Sequence, residues 1–327
     1  MNSHKPKTAI DMETPKLYTI GESELPSLVT GTQGELSHQT EESNQRGGNS
    51  TDFQFMRERP DQVAAGNNSF IAAGESNQLN GTHSFIAAGY HNEVSGDKSI
   101  ASGEHNTVKG DHSAAFGLVN EVNGPCSVAG GSCNYIEGES AAALGDGNIV
   151  AGYASFAEGG LNVCYAAYSH AGGKSAQTYN ETQYARSGGS FNDSGATGEA
   201  QYTNIIAKCA TEDEVPRDLV IGEDKAVILM RAKVNAFKIM VVASTPDQLE
   251  AGSWEIRGII LQKESPSSTL IPGPVSKTVI TKTRPDWDVQ VTADTEQGAL
   301  RITARGEENT SIRWVAFIEF TEVGFYA

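Results

Sequence analysis

Between Asn67 and Asn180, small and apolar residues fall at every second position in short runs, and the runs return every fourteen residues. The block from Asp111 reads DHSAAFGLVNEVNG, and its neighbours keep the same columns. Ala101, Ala115, Ala129, Ala143, Ala157 and Ala171 hold the fifth place, and Gly103, Gly117, Gly131, Gly145, Gly159 and Gly173 the seventh. Asn106, Asn120, Asn134, Asn148 and Asn162 hold the tenth, with Val108, Val122, Ile136, Val150 and Cys164 two places on. Two fifteen-residue copies, from Asn67 and Thr82, precede these blocks. Alternation by two is the period of a strand, and a glycine closes each half-block as a turn. The pattern predicts two strands and two tight turns per coil, a narrow parallel β-solenoid with small residues inside. Eight coils at ~4.8 Å each would make a rod of roughly 40 Å. Asn at a repeated corner is placed to stack, its amide bonding to the next coil.

Alanine alone makes a thin core, and the outward positions matter for that reason. The fourth place points away from the fifth, yet it carries Ile100, Ala114, Val128, Ala142 and Phe156, and Phe70 and Phe85 extend it in the longer copies. The other outer face carries Thr107, Glu121 and Tyr135 beside Lys109, Asn123 and Glu137. A single chain would leave Phe70, Phe85, Ile100, Val128 and Phe156 in water. The expectation is packing against sister chains, most simply three about an axis.

The flanks read differently. Residues 1–65 are polar and without period, and are expected to form an extended arm. Residues 66–180 are the solenoid, and residues 181–218 a transition broken by Arg186–Ser190 and an acidic turn at Glu212–Glu214. From residue 219 to 327 short alternating runs separated by turn residues predict a C-terminal antiparallel β-sandwich. The fold class is therefore all-β, a trimeric narrow β-roll followed by a sandwich.

The repeat Ser-x-Ala-x-Gly-x-x-Asn-x-Val-x-Gly resembles the head repeats of trimeric autotransporter adhesins and the similar arrays of bacteriophage tail fibres. The resemblance covers about a third of the chain and implies a trimeric β-roll. Such adhesins also carry a signal peptide, a coiled-coil stalk and a membrane barrel, none of which is read here, so the resemblance favours the phage type. It implies a virion tail fibre or spike subunit made in the host cytoplasm. The N-terminal arm would dock to a tail or baseplate protein, and the distal domain to a host cell-surface glycan or protein. The stretch Thr310–Val323 also resembles terminal segments of phage fibre tips. An adhesin head, or a structural segment whose last domain only caps and locks the trimer, are the alternatives.

Composition narrows the partners. The 327 residues include 35 glycines and carry a formal charge of -17, which repels nucleic acid and anionic bilayers. The longest apolar run, Ala226–Met230, is far short of the roughly 20 residues of a membrane span. Cys126, Cys133, Cys164 and Cys209 show no paired spacing and are expected to be reduced and mostly buried.

Few residues suggest chemistry. Trp254 and Trp314 alternate in phase with isoleucines and read as core, whereas Trp287 stands between Asp286 and Asp288 with Arg284 nearby. An aromatic bracketed by carboxylates suits a sugar ring, although Val289 and Val291 share its face. These four residues are the candidate receptor contacts. His91 and His105 share one column, and His83 and His112 another with Lys98 between them; solvated turns are the expected reading over a metal site. Asp97 and Asp111 also stack. No nucleophile elbow, zinc motif, phosphate loop or dinucleotide fingerprint occurs, and a fourteen-residue coil is too thin for a cleavage groove. No enzyme activity, cofactor or metal is expected.

Overall fold

A computed structural model describes residues 28–30, 36–38, 46–191 and 196–325. Among these residues every regular element is a strand except one helical turn, Pro266–Ser268. The repeat forms the predicted parallel solenoid. Its long strands, such as Ile100–Glu104, Ala114–Leu118 and Val128–Ser132, stack in one sheet, and its two-residue strands, such as Thr107–Val108 and Glu121–Val122, stack in a second. Register is kept column for column, so Ala101, Ala115 and Ala129 lie in a line. The extra residue of the fifteen-residue copy is taken up as a β-bulge between Ile86 and Gly89.

Inside, the alanine column meets Val108, Val122, Ile136 and Val150, all fully buried. Polar ladders fix the two corners. Asn120 donates from its backbone N–H and its Nδ2 to Asn106 Oδ1 at 3.1 and 3.0 Å, and from Nδ2 to the Gly131 carbonyl at 3.0 Å. Asn134 treats Asn120 in the same way. A serine ladder runs beside it, in which Ser113 Oγ accepts from the Ser127 N–H at 3.0 Å and donates to the Gly124 carbonyl at 3.0 Å. The seventh-place glycine is required: Gly117 has φ +116°, and a Cβ there would lie 2.0 Å from the Gly131 carbonyl oxygen.

The solenoid begins earlier than the repeat does. Thr51–Asp52 pairs in parallel with Phe70–Ile71, so a coil lies within the stretch read as an arm. Asp52 takes the inward place that Ile71 fills in the next coil. Its buried carboxylate pairs with Arg57 at 2.8 Å and accepts from the backbone N–H groups of Gln54 and Ala64. Gln54 starts the amide ladder, its Oε1 accepting from the Asn77 N–H at 2.8 Å. An inward carboxylate and a nineteen-residue offset to the following coil hide this coil from the period. The rest of the expected arm lies outside the described residues, except for the antiparallel pair Leu28–Thr30 and Leu36–His38.

The segment read as a transition is also structured. Tyr184–Gly188 is a further parallel strand on the roll, and Ala200–Thr211 pairs antiparallel with it. Ala200–Thr211 then pairs with Ile312–Gly324, followed by Lys233–Ser244, Ala251–Gln262 and Ser276–Lys282. One sheet of fifteen strands thus runs unbroken from roll to terminal domain. A second sheet built on Asp288–Asp294 and Ala299–Arg305 packs over its far end to complete the sandwich. Between the sheets lie Trp254, Trp287 and Trp314, with ring centroids 5.5 and 5.7 Å apart in sequence of contact.

Candidate functional site

The outer face of the long-strand sheet is the first candidate surface. Phe70, Ile100 and Val128 are exposed, Phe85 and Phe156 are half-buried, and the rings of Phe70 and Phe85 stack at 5.5 Å. The face is wider than one column. Phe116 and Leu144, in the sixth place, are 44% and 46% exposed. Over four coils large and small residues exchange places, Ile100 with Ser102, Ala114 with Phe116, Val128 with Gly130, Ala142 with Leu144, whereas Phe70 and Phe85 keep the large residue in the fourth place. Gly130 is in fact pressed by Leu144, whose Cδ2 would lie 3.0 Å from an added Cβ.

The predicted receptor contacts do not form a site. Trp287 is fully buried against Trp314, so its ring cannot meet a sugar. Alternation decides this, because the flanking Asp286 and Asp288 point outward only if the indole points in. Asp288 is ion-paired with Lys277, and Arg284 lies between Glu250 at 3.2 Å and Glu307 at 3.6 Å. Asp286 is exposed.

The histidine and aspartate columns are corner residues. His91 and His105 have φ near 55° and stack at 5.2 Å. Among the described residues no three His, Cys, Asp or Glu side chains gather as a metal site. Asp97 and Asp111 each accept a backbone N–H from the preceding coil, at 2.7 and 2.8 Å, which makes them turn residues. Cys126 and Cys133 occupy the same left-handed corners and are exposed, contrary to the expectation of burial, because side chains there project outward. Cys164 is buried, and burial pushes the Cys209 thiol up to about 11. No helix of the described residues is long and apolar enough to cross a membrane.

The junction between roll and sandwich holds what the periodicity did not signal. Lys233 Nζ meets Glu322 Oε2 at 2.7 Å, with both side chains fully buried. Gln201 Nε2 donates to Glu322 Oε1 at 3.1 Å, and the Tyr179 hydroxyl to Oε2 at 3.2 Å. Tyr179 belongs to the roll and the other three to the sandwich, so the network ties one to the other. Beside it opens a cleft of about 500 Å³, with Tyr165, Tyr179 and Glu181 on the roll side and Asp224, Lys225 and Gln297 opposite. A shallower cleft of about 670 Å³ lies at the edge of Ala200–Thr211, near Cys209, Arg217 and Arg313.

A family model described as a grass antifreeze β-roll matches residues 49–152, about a third of the chain. No curated protein sequence matches it. Among solved structures, the chain is similar to the tailspike gp49 of Acinetobacter baumannii bacteriophage Fri1, a capsular polysaccharide depolymerase, at 6% identity and TM-score 0.24, covering 84% of this chain and 69% of that one. The tailspike of Acinetobacter baumannii phage AM24 gives 7% and 0.23, over 85% and 68%. That of Acinetobacter phage vB_ApiP_P1 gives 8% and 0.21, over 84% and 58%. These superpositions are loose.

Proposed function

We propose that the chain is a structural fibre or spike subunit of a phage or phage-like particle. It works as a homotrimer whose roll sets distance and stiffness, and whose distal sandwich meets the host surface. The observation that carries this reading is the size alternation on the long-strand face. In a cyclic assembly about the rod axis equal residues sit at equal heights, and in the proposed packing the fourth place of one copy would face the sixth place of the next. Four successive levels would then join one large and one small residue: Ile100 to Ser102, Phe116 to Ala114, Val128 to Gly130, Leu144 to Ala142. Three tips on one rod gain avidity with no new contact. The N-terminal arm would dock to a tail or baseplate protein, and the charge of -17 suits a protein or an uncharged glycan on the host.

A purely structural reading, in which the sandwich caps the roll, is favoured by one observation. Ala200–Thr211 pairs directly with the last coil, and the Lys233–Glu322 network seals the junction. Capping and attachment are compatible in one domain. The antifreeze description carries over as fold, because the outward short-strand column reads Thr107, Glu121, Tyr135, Ile149 and presents no repeated group to a lattice.

The test is the native mass in dilute solution through a urea series. A mass three times that of the chain, held until cooperative unfolding, is the expected result, and Val128→Glu with Phe116→Glu should release monomers. A stable, soluble wild-type monomer sinks the fibre reading.

A further inference from the structure

The exposed aromatic residues of the roll are not spread evenly. In most coils the corner between the short and long strands carries charge or small polar groups: Lys109, Asn123 and Glu137 in the thirteenth place, Asp97, Asp111 and Glu139 in the first, Lys98 and His112 in the second. In the coils that adjoin the sandwich the same places hold Tyr165, Tyr153 and Tyr168. Tyr165 and Tyr168 are each 58% exposed, and Tyr153 meets Tyr168 edge-on at 5.4 Å. Tyr168 also sits at φ 55°, a left-handed corner that a bulky side chain occupies at some cost. Exposed tyrosines gathered at one end of a polar column are the kind of surface that marks a binding site.

Of these rings Tyr165 lines the junction cleft, together with Tyr179, while Tyr153 and Tyr168 stand outside its lining. Its volume of about 500 Å³ lies within the range of small-ligand sites. Glu181 is ion-paired with Lys225 across the cleft, while exposed Asp224 and Gln297 have no side-chain partner among the described residues. An aromatic face beside a free carboxylate and a free amide matches a pyranose, which offers an apolar face and a rim of hydroxyls. Two carboxylates against one ammonium leave the cleft negative, which disfavours uronates and phosphorylated sugars.

We infer that this cleft binds an uncharged saccharide, with Tyr165 as the stacking platform and Asp224 and Gln297 reading hydroxyls. The inference rests on the attachment reading and places the receptor site at the roll–sandwich junction, away from Trp287. Tyr165 follows the inward Cys164 and so points out from the short-strand sheet, opposite the apolar long-strand face. A trimer packed through the apolar face keeps three such clefts open.

The test is fluorine NMR of the intact, fluorotyrosine-labelled chain, titrated with the methyl glycosides of glucose, galactose and N-acetylglucosamine, and with methyl glucuronide. At least one uncharged glycoside should shift the Tyr165 signal saturably, and Tyr165→Ala, followed through the remaining tyrosine signals, should weaken that binding by about fivefold, the size of an aromatic stacking contact. Tyr135→Ala, on the same sheet but away from the cleft, should leave it unchanged. No shift with any of the uncharged glycosides overturns the inference, as does binding indifferent to Tyr165→Ala, or tighter binding of the glucuronide. None of these outcomes touches the trimer, whose own test is the native mass.

Discussion

Replacing Lys233 with Met keeps most of the aliphatic volume and removes the ammonium group from a fully buried network. Glu322 would then keep only the donors of Gln201 and Tyr179, at 3.1 and 3.2 Å, for a carboxylate without access to water. Breaking a buried pair by removing one partner costs about 3–5 kcal/mol. For a domain of this size each kcal/mol moves the midpoint by about 2–4 °C, so calorimetry of Lys233→Met should show a fall of roughly 6–20 °C. Adding Glu322→Gln removes the stranded charge but keeps an oxygen for Gln201 and Tyr179, and should recover most of the loss. The network joins Tyr179 of the roll to the sandwich, so the single variant should also split one transition into two. A loss under about 1 kcal/mol, or a double variant as unstable as the single, would refute the assignment of a charged, load-sharing pair.

The remaining predictions concern the ladders, the thiols and one carboxylate. Asn120→Ala strands the Gly131 carbonyl and the Asn134 N–H, while Asn106 Oδ1 keeps the backbone N–H of residue 120, and should cost about 3 kcal/mol in urea titration, since each unmet buried group costs about 1–3 kcal/mol. Gly117→Ala should be at least as damaging, because both its φ and the 2.0 Å approach to the next coil exclude a side chain. Iodoacetamide at pH 8 should label exposed Cys126 and Cys133 and spare Cys164 and Cys209 in the folded protein, as mass spectrometry of peptides would show. Asp294 is held below its ordinary 3.8 by the backbone N–H groups of Gln297 and Glu296 and by Arg301. A depressed folded value adds stability above the unfolded value that is lost as pH falls through the folded one. Asp294→Asn should therefore lower the melting point at pH 7, and the gap to wild type should begin to narrow below about pH 4 and close once the pH is under the depressed folded value.

The roll was legible because each column repeats, so a few disagreements such as Cys164 among the valines do not hide the period. Its first coil was not, since Asp52 reverses the inward place and the residues after it leave the fourteen-residue frame. Ala200–Thr211 escaped for another reason. Its inward side mixes Gln201 and Thr203 with Ile205 and Ala207, so polarity does not alternate although burial does. Trp287 shows the same limit from the opposite side: neighbouring charges marked it as a surface residue, while the strand phase it shares with Val289 had already placed it inside. The junction cleft was hidden because its two walls are 40 or more residues apart, Glu181 and Lys225 being separated by 44.

A parallel solenoid has an inherent hazard, because each end of the stack exposes a row of unpaired amides and carbonyls that a second copy can extend. Here the two ends are finished differently. At one, Asp52, Gln54 and Arg57 put a charged, hydrogen-bonded plug where the apolar column would continue. At the other, the antiparallel Ala200–Thr211 reverses the strand direction against the last coil. Among the described residues neither end offers the parallel, apolar template that a further coil needs, which sets a ruler apart from a seed for filaments.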